Sequence, residues 1–173
     1  MLIVGIDPGL TGAWAVLNAD GSFLAVEDLP VIRDGRLGWI DGDAFASQLR
    51  GISDGAELQA TVERVHAMPR NGSQAAFSQG ATLGSILATL QLVRARIRLA
   101  NPGTWKRAMG LSADKGASLD RARLLFPAAS LDRKKDHGRA EALLLAEWSR
   151  RTANSPGAPQ NDMHTRLGKR LPG

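Results

Sequence analysis

The stretch Leu2-Ile-Val-Gly-Ile-Asp-Pro-Gly-Leu-Thr-Gly12 begins as a continuous apolar run, reaches a carboxylate and then passes into a turn. A continuous run of apolar residues is typical of a strand that is buried on both faces in the middle of a sheet. We therefore predict a central strand over residues 2–7, with Asp7 at its tip. A charge at the end of an apolar strand is costly to bury unless it is paired or binds a cation. Asp7 is accordingly the first candidate functional residue.

The segments that follow alternate between strand and helix patterns. Pro8 and Gly9 favour a turn after the first strand, and Ala19-Asp20-Gly21 favours a hairpin turn further on, so the first three strands should form an antiparallel meander. Asp43 is the predicted N-cap of the first helix. The predicted strands are 2–7, 13–17, 23–29, 58–65 and 97–100, and the predicted helices are 43–50, 73–93, 102–109, 114–125 and 138–151.

Length and composition indicate one domain with a tail. A chain of 173 residues can bury one core, which we place in residues 1–151. Residues 152–173 are rich in Pro, Gly, Asn and basic side chains without periodicity, and we predict a flexible basic tail there. No apolar run reaches the roughly 18–20 residues that span a bilayer, and the N-terminus lacks the pattern of a secretory signal.

The charge balance favours a polyanionic partner. The formal net charge is +5, and the basic residues of the second half cluster over 94–98, 106–107 and 133–139. Clustered lysines and arginines neutralise phosphates in nucleic-acid complexes. The chain contains no cysteine, so disulfides and thiolate metal sites are excluded. A metal site would have to be built from oxygen and nitrogen ligands.

Acidic residues stand at the ends of three predicted elements. Asp7 ends the first strand, Glu63 lies near the end of the fourth, and residues 136–141 open the last helix with Asp136 and Glu141. Oxygen ligands suit Mg²⁺ or Mn²⁺. Two such ions about 3.5–4 Å apart can activate water and stabilise a leaving oxygen in phosphodiester cleavage. On this hypothesis Asp7 bridges the two ions, and Glu63 and the acids of the last helix each hold one.

Four motifs in this order resemble those of RuvC-type Holliday-junction resolvases. Residues 3–12 resemble the opening motif of that family, and Glu63-Arg-Val-His-Ala-Met68, with the loop and helix after it, resembles the second. Residues 102–115, with Thr-Trp-Lys-Arg and Ala-Asp-Lys, resemble the family's basic segment. Ala140-Glu-Ala-Leu-Leu-Leu-Ala146 resembles its final acidic helix. The resemblance extends from residue 2 to about residue 148, and its specificity lies in the order and spacing of the motifs.

The resemblance implies an RNase H-like α/β fold, with a five-stranded mixed sheet whose first three strands are antiparallel and with helices on both faces. It also implies a Mg²⁺- or Mn²⁺-dependent crossover junction endodeoxyribonuclease, a homodimer that nicks two strands of a four-way junction. The small residues of the helix over 73–93 make a dimer contact physically plausible. The expected location is the bacterial cytoplasm, and a phage-encoded member would fit the departures from the family pattern.

The same resemblance implies which residues contact DNA. In this family the loop after the second acid inserts side chains at the junction, which makes His66 and Met68 candidates. Lys106 and Lys115 match the family's basic residues and would neutralise phosphates near the cleaved bond. Lys115 is therefore also a candidate catalytic residue. The full set of DNA-binding candidates is His66, Met68, Arg70, Lys106, Arg107, Lys115, Lys134 and Lys135.

The last motif departs from the family pattern. The family usually has an acid three residues before its final acid, but Gly138 stands there, and the final acid is Glu141. His137 lies four residues before Glu141, so the two would share a helix face. Asp136, at five residues, could reach a metal only from a non-helical N-cap position. Asp136 is slightly preferred as the metal ligand, with His137 as a neighbouring ligand or general acid–base group.

Three other functions fit parts of the sequence. Asp7-Pro-Gly-Leu-Thr-Gly12 also resembles the phosphate loop of actin-like sugar kinases, but those enzymes clasp ATP between two domains, and 173 residues are too few for both. No nucleotide cofactor is therefore expected. A relaxed nuclease that cuts flaps, forks or RNA/DNA hybrids is the nearer alternative. A catalytically silent protein that binds branched DNA is the third.

Overall fold

The computed structural model describes residues 1–35, 37–65, 72–111 and 115–153, apart from the side chains of Ser73 and Lys115. The strands in these ranges are β1 (Leu2–Asp7), β2 (Ala13–Asn18), β3 (Phe23–Asp28), β4 (Val31–Asp34), β5 (Leu37–Ile40), β6 (Leu58–Glu63) and β7 (Arg96–Ala100). The helices are α1 (Gly42–Ser53), α2 (Ser73–Leu92), α3 (Pro102–Ala108), α4 (Lys115–Leu125) and α5 (His137–Ala153). None of the helices in the described part of the chain combines the length and apolar character that crossing a bilayer requires.

The main sheet has five strands in the order β3-β2-β1-β6-β7. The strands β1, β2 and β3 pair antiparallel, whereas β6 runs parallel to both β1 and β7. This arrangement confirms the predicted mixed sheet with three antiparallel strands at the start. Because β1 and β6 are parallel neighbours, their carboxyl ends meet at the same edge of the sheet.

Helices cover both faces of the sheet, as predicted. On one face Ile3 of β1 belongs to a core built with α3, α4 and α5. On the other face Val4 and Ile6 belong to a core built with α1 and α2. Successive residues of a strand point to opposite faces, so the apolar run of β1 contributes to both cores.

The last helix lies unusually close to the central strand because Gly5 has no side chain. A Cβ atom at Gly5 would overlap the carbonyl oxygen of Ala142 and lie 2.5 Å from the backbone nitrogen of Ala146. Only glycine permits this approach of two backbones. The contact fixes α5 against β1 and brings the start of α5 over the carboxyl end of that strand.

Two local features differ from the prediction. The β4–β5 hairpin was not predicted, because its strands are four residues each and several of their side chains, Ile32 and Leu37 among them, are exposed. The N-cap of α1 is Asp41, whose side chain accepts a hydrogen bond of 3.0 Å from the backbone nitrogen of Ala44. The predicted N-cap, Asp43, lies in the first turn, because the helix begins at Gly42.

The predicted boundary between domain and tail falls inside the last helix. Helix α5 continues to Ala153, so Thr152 and Ala153 are helical. The remainder of the predicted tail, 154–173, lies outside the described residues.

Candidate metal centre

The structure brings three of the predicted acids together at the carboxyl edge of the sheet. Asp7 ends β1, Glu63 ends the adjacent parallel strand β6, and Glu141 projects from the first turns of α5. One ligand atom from each lies within 4.8 Å of the others. Three carboxylates at this spacing are the donor set that hard divalent cations prefer.

Lys106, a predicted DNA-binding residue, lies inside this acidic cluster. Its Nζ donates to both carboxylate oxygens of Glu141 at 2.9 Å and lies 3.9 Å from Oε2 of Glu63. The lysine side chain is 29% exposed, and those of both glutamates are 17% exposed. In the metal-free protein Lys106 therefore supplies a positive charge to the acids.

Trp105, the residue before Lys106, was not singled out in the sequence. Its side chain is fully buried in the core between α3 and the sheet, and its indole Nε1 donates to Oε2 of Glu63 at 2.7 Å. Helix α3 begins at Pro102 after an Asn101 cap, whose side chain accepts from Gly103. The signal that could have identified Trp105 is a large, hydrogen-bonding aromatic residue inside the basic motif.

Burial and neighbouring charges shift the pKa values within the cluster. The pKa of Asp7 is raised to about 8, mainly by burial and also by the charges of Glu141 and Glu63, while the charge of Lys106 acts in the opposite direction. Burial also raises the pKa of Glu63, although Lys106 and the Trp105 hydrogen bond act in the opposite direction. For Lys106, burial lowers the pKa, but its bond to Glu141 and the nearby acids outweigh burial and raise it. These shifts follow from like charges gathered at low exposure.

His137 and Gly138 stand beside the three acids. Both line a cavity with Asp7 and Glu141, and Nδ1 of His137 is buried without a hydrogen-bond partner among the described residues. A Cβ atom on Gly138 would lie 3.1 Å from Oδ2 of Asp7. The position that carries an acid in the family therefore faces Asp7 directly, and in this chain it has no side chain.

Asp136 lies apart from the other acids, contrary to the preference for it as the fourth ligand. Its side chain is 1% exposed, and both oxygens accept bonds from Arg133, from Nε at 2.6 Å and from the backbone nitrogen at 2.7 Å. Its backbone carbonyl accepts the first hydrogen bond of α5, from Ala140. Asp136 thus closes the turn that starts the helix, and its geometry favours His137 for the place beside the acids.

The cavity beside the cluster has a volume of about 610 Å³ and a basic rim. Besides Asp7, His137 and Glu141, its lining includes Arg33 of the β4–β5 hairpin and Lys135, both of which are exposed. Lys135 was a predicted DNA-binding residue, whereas Arg33 was missed because its hairpin was not predicted. Exposed cations next to clustered acids suit a phosphate backbone that passes the site.

The positions of the other predicted DNA-binding residues say less about the site. Arg107 and Lys134 are exposed, while His66, Met68 and Arg70 and the side chain of Lys115 lie outside what the structure describes. Part of the basic run near 133–139 has a structural role. Arg133 and Arg139 both bond to Asp28, and the bond from Arg133 is the main reason why the pKa of Asp28 falls to about 2.

The fold and the clustered carboxylates define a RuvC-like α/β domain. The chain superposes on T. thermophilus RuvC in complex with Holliday junction substrate with a TM-score of 0.64 and 18% identity, over 88% of this chain and 94% of that one. A second structure of Thermus thermophilus RuvC gives a TM-score of 0.54 and 16% identity, over 88% and 97% of the two chains. At such identities the similarity establishes the fold.

One curated relative resembles the chain in sequence. The chain is 38% identical over 96 residues to the chloroplastic Holliday junction resolvase MOC1 of Chlamydomonas reinhardtii, and the match covers 53% of this chain. It covers 11% of that relative, so the chain spans only a small part of the relative's length. No protein-family model matches the chain. Together the comparisons confirm the predicted resemblance, and the chain has a RuvC-like fold.

The raised pKa of Asp7 predicts how the stability of the metal-free protein depends on pH. The pKa is about 8 in the fold, against an ordinary value of 3.8. Between these values the folded state holds a proton that the unfolded chain has lost, so the free energy of unfolding should fall as pH rises from about 4 to about 8. Asp7→Asn should remove this component. We expect urea unfolding in EDTA to show a stability advantage of Asp7→Asn that grows from pH 4.5 to 8.5; an advantage that stays constant would contradict the assignment.

Proposed function

We propose that this chain is a divalent-metal-dependent endonuclease that resolves four-way DNA junctions. The observation that carries the proposal is the cluster of Asp7, Glu63 and Glu141 at the sheet edge of a RuvC-like fold, with ligand atoms within 4.8 Å of one another. A relative that is 38% identical over 96 residues bears the name of a Holliday junction resolvase. The exposed cations Arg33 and Lys135 beside the acids support a polyanionic substrate.

The residues of the cluster fit Mg²⁺ or Mn²⁺. The donors are carboxylate oxygens, and the pKa of Asp7 is raised to about 8 by burial and by the negative charges of Glu141 and Glu63, which a cation would offset. Asp7, Glu63 and Glu141 would together hold the ions. Two ions at such a site supply an activated water and stabilise the leaving oxygen of the phosphodiester.

The protein groups around the acids have distinct tasks in this proposal. Asp7, Glu63 and Glu141 hold the cations, and no covalent nucleophile from the chain is needed. Lys106, Arg107, Lys134 and Lys135 would neutralise phosphates on either side of the cleaved bond. His66, Met68, Arg70 and Lys115 remain predicted DNA contacts on the basis of the family resemblance alone. His137 would complete the site as a ligand or as a general acid–base group, because it lines the cavity together with Asp7 and Glu141.

Replacing Asp7 tests the reaction. Mutation of a group that only supports a metal ligand typically lowers activity by about 10–100-fold. Asp7 is itself a proposed ligand, so Asp7→Asn should reduce cleavage of a labelled four-way junction by more than that. Junction binding should stay intact or become tighter, because repulsion between the acids and the phosphates falls. The assay compares four-way junction, flap and linear duplex with Mg²⁺ or Mn²⁺. Paired symmetric nicks confined to the junction are the expected result.

Other outcomes of the same assay select the alternatives. Equal cutting of flaps or duplex would replace the junction resolvase with a relaxed nuclease. Binding without any cutting by the wild type, with either metal, would replace it with a silent DNA-binding protein. If Asp7→Asn lost both junction binding and cleavage, Asp7 would support the fold instead of the reaction.

A pair of neighbouring variants tests the fourth member of the site. His137→Ala should lower cleavage and Mn²⁺ affinity while leaving the melting temperature close to that of the wild type, because Nδ1 of His137 loses no bond to another described residue. Asp136→Asn should lower stability by about 1–3 kcal/mol, since its buried carboxylate is bonded to Arg133. Its folded fraction should still cleave. Loss of cleavage in Asp136→Asn without loss of stability would restore Asp136 as the ligand.

The proposed homodimer has a plausible contact surface on α2. Phe77, Gly80, Gly84 and Ala88 are all exposed and recur at spacings of three and four, so they share one helix face. Phe77 is 69% exposed, and the space around Gly80 and Gly84 is open within 4 Å of an added Cβ. The two glycines therefore do not pack against the sheet, and a second copy of α2 is the partner that we propose for this face.

Gly84→Arg should convert the dimer to a monomer. The substitution places a long charged side chain in the contact. Arginine has a higher helix propensity than glycine, so the monomer should not lose stability. Light scattering after size exclusion should change from twice the chain mass of 18.4 kDa to a single chain mass. Gly51→Arg, on α1 with open space around it, is the matched control and should remain dimeric. A wild-type monomer, or a dimeric Gly84→Arg, would rule out this contact.

A further inference from the structure

The indole of Trp105 is fully buried next to the acids. Trp105 is 0% exposed and packs in the core that α3 and α5 form on the sheet. A large side chain enclosed on all sides cannot change its rotamer without opening a void in the core. The position of its Nε1 is therefore set by the packing of the domain.

The indole Nε1 of Trp105 contacts one atom of the acidic cluster. It donates to Oε2 of Glu63 at 2.7 Å, a short hydrogen bond to a charged acceptor. The indole is neutral, so it orients the carboxylate without adding a positive charge that competes with a cation. Lys106 differs in this respect, because its ammonium group lies among the same acids.

Glu63 needs such a constraint. It ends β6, its side chain remains 17% exposed, and glutamate has three side-chain torsions to fix. The Trp105 bond engages Oε2, the same oxygen that lies 3.9 Å from Nζ of Lys106, and so restricts the rotation of the carboxylate. Groups behind a metal ligand commonly set its orientation and contribute to metal affinity.

We propose that Trp105 is a positioning residue that holds Glu63 in the orientation that binds the metal ion. The inference rests on the proposed metal-dependent function of the same site. It concerns a residue that itself touches neither substrate nor metal. Its effect should therefore appear in metal affinity, and it should depend on the carboxylate of Glu63.

The chain offers a matched control in Trp14. This residue of β2 is 2% exposed and lies in the core on the opposite face of the sheet, against Phe45. Its buried Nε1 has no hydrogen-bond partner among the described residues. Trp14→Phe and Trp105→Phe thus remove the same atoms from a buried core. Only Trp105→Phe also removes a hydrogen bond to the acidic cluster.

The experiment measures Mn²⁺ binding to the full-length protein by isothermal titration calorimetry, with melting temperatures recorded in EDTA. Trp105→Phe should weaken Mn²⁺ affinity by about 10-fold or more. Trp14→Phe should keep the affinity within about twofold of the wild type, even if both variants melt at lower temperature. In a Glu63→Gln background, Trp105→Phe should have little further effect on affinity, because the residue acts through Glu63.

Three results would overturn the inference, and each points to a different cause. Equal Mn²⁺ affinity in Trp105→Phe and Trp14→Phe, with normal binding by the wild type, would make Trp105 a packing residue and leave the proposed function standing. Absence of Mn²⁺ binding by the wild type itself would overturn the metal-dependent function and the positioning role together. An undiminished loss in the Glu63→Gln background would show that Trp105 acts on another group.

Discussion

The mutual repulsion of three carboxylates is the constraint on which the rest of the site depends. Asp7, Glu63 and Glu141 are gathered within 4.8 Å at the edge of the sheet, where the pKa of Asp7 rises to about 8. The fold tolerates this charge because α3 faces the acids with Lys106, a cation, and Trp105, a neutral donor. A cation among the three acids would relieve this repulsion, which makes the cluster a candidate metal site.

Helix α5 carries Glu141 to Asp7 and Glu63, and two sets of contacts hold this helix in place. Gly5 lets the backbone of α5 approach β1 closely, next to Ala142 and Ala146. At the start of the helix, Asp28 and Asp136 hold Arg133. Asp136 is therefore committed to the turn before α5, which explains why an acid adjacent to the site in sequence is not part of it in space.

The departures from the family pattern become understandable around the cavity. A Cβ atom on Gly138 would lie 3.1 Å from both Oδ2 of Asp7 and the carbonyl oxygen of Thr11, so a side chain has little room there, and His137 lines the same cavity as Asp7. Across the cavity the β4–β5 hairpin adds Arg33 to the rim. Asp7, Glu141 and His137 thus line one cavity together with the exposed cations Arg33 and Lys135.

The sequence by itself determined the main strands and helices and the strand tips occupied by Asp7 and Glu63, because apolar periodicity and turn residues are local properties. The RuvC-like fold followed from the resemblance of four motifs in order. The sequence did not determine the β4–β5 hairpin, whose short exposed strands carry little periodicity. Only the tertiary structure showed that Asp136 is bonded to Arg133, that His137 lines the cavity with Asp7 and Glu141, and that Trp105 donates to Glu63. These contacts depend on which side chains packing brings together in space. The pairing of Asp136 with Arg133, for example, is set by packing rather than by any local sequence pattern.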